Sequence, residues 1–245
     1  MSKVMEDEEY WSQAWRRHVD TYLAAVPRFG YWLAARYPRR MGFSFMEIAG
    51  GSCRDSQQLA ETGYRAVGTD FDEKTLEYLR MRFPGSESRI RREDAFAFDL
   101  PDRGVDVTFS NGFWVLFDDD EKVLALLREQ VRVTRRHAVF STQNADNPKL
   151  IRAFAEKAKS DDLYDIRFFG RDEVVDLVRR SGVPYKSLSL HKFGGAIDML
   201  YERSIKGAWN PFHRLAPLVV PYLYRFLPWS RMQRVVCILD FEHDA

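Results

Sequence analysis

The chain has 245 residues, with 37 Lys and Arg against 36 Asp and Glu and a formal net charge of +1. That balance leaves no basic face of the kind a nucleic-acid backbone needs, so nucleic acid is not an expected partner. The length and a hydrophobic fraction of 45% suit one α/β domain with an elaboration.

Taken in chain order, residues 1–43 read as helical and aromatic-rich. Tyr10, Trp11, Ala14, Trp15 and His18 recur at three- and four-residue spacing, and Pro27 and Pro38 punctuate the region. From residue 44 to about 142, strand and helix signals alternate. Phe45 to Ile48 is a short apolar run ending at a glycine pair. Ser56 to Glu61 is helical and stops at Gly63, and Arg65 to Asp70 is a strand. Glu73 to Phe83 is helical, Ile90 belongs to a weak strand, and Val105 to Ser110 is a clear one. Glu121 to Val133 is an apolar-periodic helix, followed by the strand His137 to Thr142. This alternation implies parallel βαβ units and a doubly wound sheet.

Residues 143–170 read as an insertion containing one helix, Pro148 to Lys159. A helix from Asp172 to Arg180 follows, then two strand-like runs, Tyr185 to His191 and Ala196 to Glu202. Gly194-Gly195 between them predicts an antiparallel hairpin. Residues 206–245 read as an extension rich in proline, aromatics and arginine, packed on the domain. Its mixture of aromatics and arginine, over 206–234, could meet a membrane surface. Packing across the substrate opening or a homodimer contact is the preferred reading.

Cys53 and Cys237 lie far apart with no ligand spacing around them. This argues against a disulfide framework or a metal site and for a reducing, cytoplasmic setting. The acidic N-terminus has no apolar core and does not read as a signal peptide. No stretch of about 18 apolar residues offers a membrane span.

Four signals carry chemistry. The first is the small-residue turn Ala49-Gly50-Gly51-Ser52-Cys53, reached from Glu47 and leading into a helix. Small residues let a ligand approach the backbone, and the N–H groups at the helix start face an anionic group. The second is Asp70, nineteen residues past Gly51 at the end of the next strand, where a carboxylate can accept from ribose hydroxyls. The third, Glu93-Asp94-Ala95, suits an adenine amino group. The fourth, Ser110-Asn111-Gly112, lies at the crevice where open α/β sheets bind ligands.

With these motifs the sequence resembles the class I S-adenosylmethionine (SAM)-dependent methyltransferases from about Met46 to Thr142. Glu47, Ala49, Gly51 and Cys53, then Arg54-Asp55-Ser56, stand at the places of the family's first motif. Leu59 through Asp70 continues the likeness into its second, acidic motif. The resemblance implies a Rossmann-like, mostly parallel seven-stranded sheet with a terminal antiparallel hairpin. It also implies SAM as cofactor and methyl transfer to an oxygen or nitrogen of a small-molecule acceptor.

Carried over by position, Gly50 to Cys53 would flank the methionine part of SAM, and Glu47 would order the loop or meet the amino group. Asp70 would hold the ribose and Phe71 would pack on adenine. Asp94 and Ala95 would approach the adenine edge, and Asn111 and Gly112 would border the sulfonium and acceptor. Residues 1–43 would form a lid, with His18 as the leading base and Tyr10, Trp11 and Trp15 facing the acceptor. Trp114 and Phe117 would line the acceptor pocket. The domain would span 44–205.

Three positions depart from the family pattern. Ala49 and Cys53 stand where glycine is common, and Asp72 replaces a small polar residue. Cys53 could narrow the cofactor pocket, and with no histidine near it in sequence it is a loop residue and not a nucleophile. A nicotinamide-type oxidoreductase would need a full Gly-x-Gly-x-x-Gly and a second mononucleotide half, and neither is present. A SAM-binding scaffold without catalysis is the alternative, kept open by Cys53 and by the lack of an obvious base.

Overall fold

A computed structural model describes residues 8–198 and 216–241. In chain order the elements are α1 (Glu8–Ala24), α2 (Arg28–Arg36), β1 (Ser44–Glu47), α3 (Arg54–Glu61), β2 (Arg65–Asp70), α4 (Glu73–Arg82), β3 (Ile90–Arg92), β4 (Val105–Asn111), α5 (Asp120–Val133) and β5 (Thr134–Gln143). Next come α6 (Pro148–Ala158), α7 (Arg171–Ser181), β6 (Ser187–Phe193), α8 (Ala216–Leu223) and β7 (Arg234–Asp240). The seven strands form one sheet in the order β3-β2-β1-β4-β5-β7-β6. The first five run parallel, and β7 runs antiparallel to both β5 and β6.

The doubly wound sheet is as the sequence implies, but the partner of its last hairpin is not. Residues Ala196 and Ile197 lie in a turn, and 199–202 fall outside the described residues. The strand paired with β6 is β7, drawn from the supposed C-terminal extension, with Phe193 opposite Arg234 and Ser187 opposite Asp240. The physical reason lies in burial on both faces. Val235, Val236, Cys237, Ile238 and Leu239 are all at most 1% exposed. Such a continuous apolar run suits a central strand. A boundary at 205/206 would therefore cut through the sheet.

Two cores cover the sheet faces. On one, Val107, Phe109, Val139, Val236 and Ile238 pack against Phe29, Trp32 and Leu33 of α2. On the other, Phe140, Cys237 and Leu239 pack against α5 and α7. So α2 is a core helix rather than part of a lid. Its first turn has no side-chain cap of its own from Pro27. Instead the Gly30 N–H donates to Asp55 Oδ1 at 2.7 Å. A carboxylate from another helix thus satisfies one of the free N-terminal donors and meets the positive end of the dipole. Gly30 must be bare, since a Cβ there would lie 2.6 Å from Gln58 Oε1 and 2.8 Å from the Asp55 carbonyl oxygen.

Local capping chemistry fixes several other starts. Asp72 caps α4 by accepting from the Thr75 N–H, and Asn147 caps α6 by accepting from the Leu150 N–H, with Pro148 at the first helical position. The departure at Asp72 is therefore spent on capping α4. Among the described residues no helix is long and apolar enough to cross a membrane.

Candidate active site

The ends of β1, β2 and β4 and the start of α3 meet at the carboxyl edge of the sheet. There the chain turns sharply from β1 into α3, with positive φ at Ala49 (49°), Gly51 (53°) and Cys53 (49°). Two of these residues carry a Cβ, and left-handed backbone costs about 1–2 kcal/mol per non-glycine residue. These are the two positions where the sequence departs from glycine, so the departure becomes strain stored in the loop.

Cys53 does not narrow the loop's outer side. Its side chain is fully buried. It packs with Val19, Leu76, Leu79 and Ile90. Gly68 is bare to admit it: a Cβ there would stand 2.7 Å from the Cys53 sulfur. Burial raises the thiol pKa well above its usual value, with Glu47 and Asp70 adding to it. A thiol held protonated in the core is no nucleophile.

The loop is tied to β2 by two bonds, the first from the Gly50 N–H to the Thr69 carbonyl oxygen at 2.8 Å. The Gly51 N–H donates to Asp70 Oδ2 at 2.7 Å, while the Asp72 N–H donates to Asp70 Oδ1 at 3.2 Å. A carboxylate has about four acceptor positions, so capacity remains at Asp70 for a ligand's hydroxyls. Beneath the loop, Glu47 is buried and accepts from the Ser56 N–H at 2.8 Å. Burial pushes its pKa upward, and nearby Asp55 reinforces the effect.

Asp55 is the hub of the site. It accepts from Gly30 through Oδ1 and from Asn111 Nδ2 through Oδ2 at 2.9 Å. Asn111 Oδ1 in turn accepts from Ser141 Oγ at 3.0 Å, and Ser141 Oγ accepts from Arg234 Nη1 at 3.2 Å. The chain of bonds runs from α2 through α3, β4 and β5 to β7. The side chain of Asn111 is thereby a strut with both ends used, and Arg234 is a site residue that the sequence reading missed. Nothing in its local sequence marks it. Only β7's insertion beside β5 brings it there.

The remaining expected residues divide. Phe71 is 48% exposed at the rim, with the Arg92 guanidinium 5.0 Å above its ring. Asp94 is exposed and accepts from the Phe96 N–H, and Ala95 is partly buried beside it. His18 faces the insertion, its Nε2 3.0 Å from Asp161 Oδ2. Tyr10, Trp11 and Trp15 lie on α1, but their side chains are outside the described residues. Trp114 and Phe117 belong to the core. Trp114 stacks on Phe140 at 3.8 Å between centroids, and Phe117 meets Phe96 and Phe113 edge-on. They are 1% and 2% exposed, which leaves no face for an acceptor. Apolar bulk just after a strand end is drawn under the sheet by burial, and sequence position alone does not reveal that.

A cavity of about 400 Å³ opens elsewhere, between α2, β6 and α8, and includes Trp32, His191, Tyr222 and Trp229 in its lining. No residue of the Ala49–Cys53 loop lines it. Chemistry, not cavity size, locates the site.

Residues 46–142 match a family described as "Methyltransferase domain". Over residues 46–142 this chain carries a methyltransferase domain. The matched segment contains the loop, Asp70, Asp94 and Asn111. No curated protein sequence matches the chain. Among solved structures, it is similar to a SAM-dependent methyltransferase, described as a possible histamine N-methyltransferase, from Thermotoga maritima. The TM-score is 0.60 at 15% identity, covering 94% of this chain and 99% of that one. A SAM-dependent methyltransferase from Archaeoglobus fulgidus aligns with TM-score 0.57 at 16% identity over 88% of this chain and 95% of that one. Geranyl diphosphate C-methyltransferase from Streptomyces coelicolor A3(2), whose structure holds S-adenosylhomocysteine, aligns with TM-score 0.52 at 12% identity over 86% and 79%. At these identities the structural likeness speaks for the fold.

The residues of the methyltransferase domain fit SAM as cofactor. The ligand carries a sulfonium and an ammonium against one carboxylate, a net positive charge. It would meet three carboxyl groups, Glu47, Asp55 and Asp70, around a loop nearly bare of side chains. Burial raises the pKa of all three. A cationic ligand beside them relieves that strain by favouring the charged carboxylates.

Proposed function

We propose that this protein moves the methyl group of SAM onto an oxygen or nitrogen of a small-molecule acceptor. The observation that carries this reading is the clasp between Gly51 N–H and Asp70 Oδ2. It fixes a bare loop and a ribose-competent carboxylate on adjacent strands.

Bound there, SAM supplies an electrophilic methyl carbon with a good leaving group already attached. The protein's part is to hold the acceptor aligned and dry. In this reading Gly50 to Ser52 flank the methionine part, Asp70 holds the ribose, and Phe71, Asp94 and Ala95 bound the adenine. Asn111 serves through position: fixed by Asp55 and Ser141, it holds the β4 end and Gly112 beside the reacting groups. His18, oriented by Asp161, takes the proton when the acceptor must lose one.

The test measures S-adenosylhomocysteine by mass spectrometry after incubating the protein with SAM and a panel of small alcohols, phenols and amines. Product above the acceptor-free level is expected. Failure of SAM and S-adenosylhomocysteine to bind by calorimetry overturns the reading. His18→Gln should lower kcat for a hydroxyl acceptor mainly below the alkaline range, where unassisted deprotonation is slow. An unchanged pH profile removes His18 from the role of base.

A further inference from the structure

Arg234 is the unusual group of this site. It opens β7 at the carboxyl edge of the parallel strands, opposite Gln143 of β5 and Phe193 of β6. Its guanidinium reaches back over the end of β4, so close that a Cβ on Gly112 would lie 2.5 Å from Nη1. Gly112 has φ +83°, and its missing side chain is the space the guanidinium uses. Of five N–H donors available to an arginine, one is engaged among the described residues, by the neutral hydroxyl of Ser141.

Arginine is almost never buried without an acid beside it. Two acids are close enough to act on Arg234 through space, Asp55 and Asp198. Neither forms an ion pair with it. Asp55 is occupied by Gly30 and Asn111. Asp198 is bonded to Arg28, to the Tyr224 hydroxyl and to the Gly195 N–H. Burial, with Arg28 adding repulsion, lowers the Arg234 pKa to about 10. It remains a cation at neutral pH, within electrostatic reach of Tyr22 of α1.

A planar fork whose donors are mostly unpaired among the described residues matches a carboxylate or phosphate held through two parallel hydrogen bonds. Two sources could supply that oxyanion: the α-carboxylate of SAM, or an acid group on the acceptor. Position favours the acceptor. The strand order places β7 three strands from β1, so Arg234 approaches from the β5 side of Asn111 and Gly112, and the glycine loop lies on the other side.

We propose that Arg234 is the receptor for an oxyanion on the methyl acceptor, so that the acceptor is an acid bearing a carboxylate or phosphate. This rests on the methyl-transfer reading above and narrows its substrate class. Ser141 is the positioning residue that aims the guanidinium, and Gly112 is the gap that admits it.

The experiment titrates the full-length protein, alone and saturated with S-adenosylhomocysteine, with benzoate and with inorganic phosphate at constant ionic strength. Neutral benzamide is the control. Calorimetry should detect at least one of the two anions and not benzamide. Arg234→Gln should weaken that anion by about 10- to 100-fold, the range for losing charge-assisted hydrogen bonds. Its affinity for SAM should stay within about threefold. Arg234→Lys keeps the charge but loses the fork, and it should fall between the two. It also serves as the measurement should Arg234→Gln fail to fold, as judged by circular dichroism.

A tenfold loss of SAM affinity with anion binding unchanged would assign Arg234 to the cofactor's carboxylate and overturn the proposal. Equal anion affinity in wild type and variants, or none in either, overturns it as well. If wild type binds anions through Arg234 but never binds SAM, the methyl-transfer reading is the one that fails, and the oxyanion site stands without it.

Discussion

The two halves of the site are built differently. The cofactor half, β1 through β3, is contiguous: its key bond joins Gly51 to Asp70, nineteen positions apart. The acceptor half is assembled from distant segments. Gly30 meets Asp55, His18 meets Asp161, Arg28 meets Asp198, and Ser141 meets Arg234 across 93 positions. The first half is a recurrent solution to holding an adenosine. The second depends on pairing between segments far apart in sequence, and in the function proposed above it is the part that receives the acceptor. Asn111, bonded to Asp55 on one side and Ser141 on the other, is the seam between them.

Breaking that seam should have the largest effect. Asp55→Ala strands the Gly30 N–H and the Asn111 amide in a buried setting, at about 3–4 kcal/mol of stability. Urea unfolding should show the midpoint drop. A loss under 1 kcal/mol would mean the halves hold together without the hub. Next comes a change confined to the cofactor half. Asp70→Ala should cost about 2–4 kcal/mol of SAM affinity while leaving benzoate and phosphate binding untouched. Wild-type SAM affinity by calorimetry would remove Asp70 from the site.

Acidity should separate the halves by sign. Burial lowers the pKa of His191, which lies on the assembled side, to about 4, with Arg36 contributing. The unfolded chain then takes up a proton that the native state refuses, so stability is lost as pH falls from about 6.5 toward 4. Glu47 works oppositely. Its raised pKa means the native state keeps a proton the unfolded chain has released, so stability is lost as pH rises above the ordinary carboxylate range. His191→Gln should flatten the acid limb of thermal stability against pH, and Glu47→Gln the alkaline limb. Unaltered limbs would contradict both assignments.

The smallest expected effect has the opposite direction. Ala49 sits at φ 49°, so Ala49→Gly should stabilise by about 1 kcal/mol, the relief of left-handed strain less the entropy glycine adds to the unfolded chain. A destabilised variant would mean that the Ala49 methyl packs more usefully than its backbone is strained.

Legibility followed the same division. The alternation of strands and helices from Phe45 to Thr142, the small-residue turn and the acid after β2 were readable because each is local. Glu47 and Asp70 lie where the sequence placed them. Trp114 and Phe117 were misread because a bulky residue after a strand end can point to ligand or to core, and only packing against Phe140 and Phe96 decides. The Gly194-Gly195 pair suggests a hairpin-like turn between neighbouring strands. The chain instead runs on to residue 234 before returning as β7. A continuous apolar run specifies a buried strand but not its neighbours.

The sequence by itself determined the doubly wound sheet and the cofactor loop, since strand period, turn chemistry and the spacing of one carboxylate are properties of contiguous residues. Tertiary structure alone decided which strand closes the sheet and therefore that a guanidinium faces Gly112. Pairing between β5, β6 and β7 is set by which apolar faces can be buried together. That competition is settled among all segments at once, and no stretch of sequence contains it.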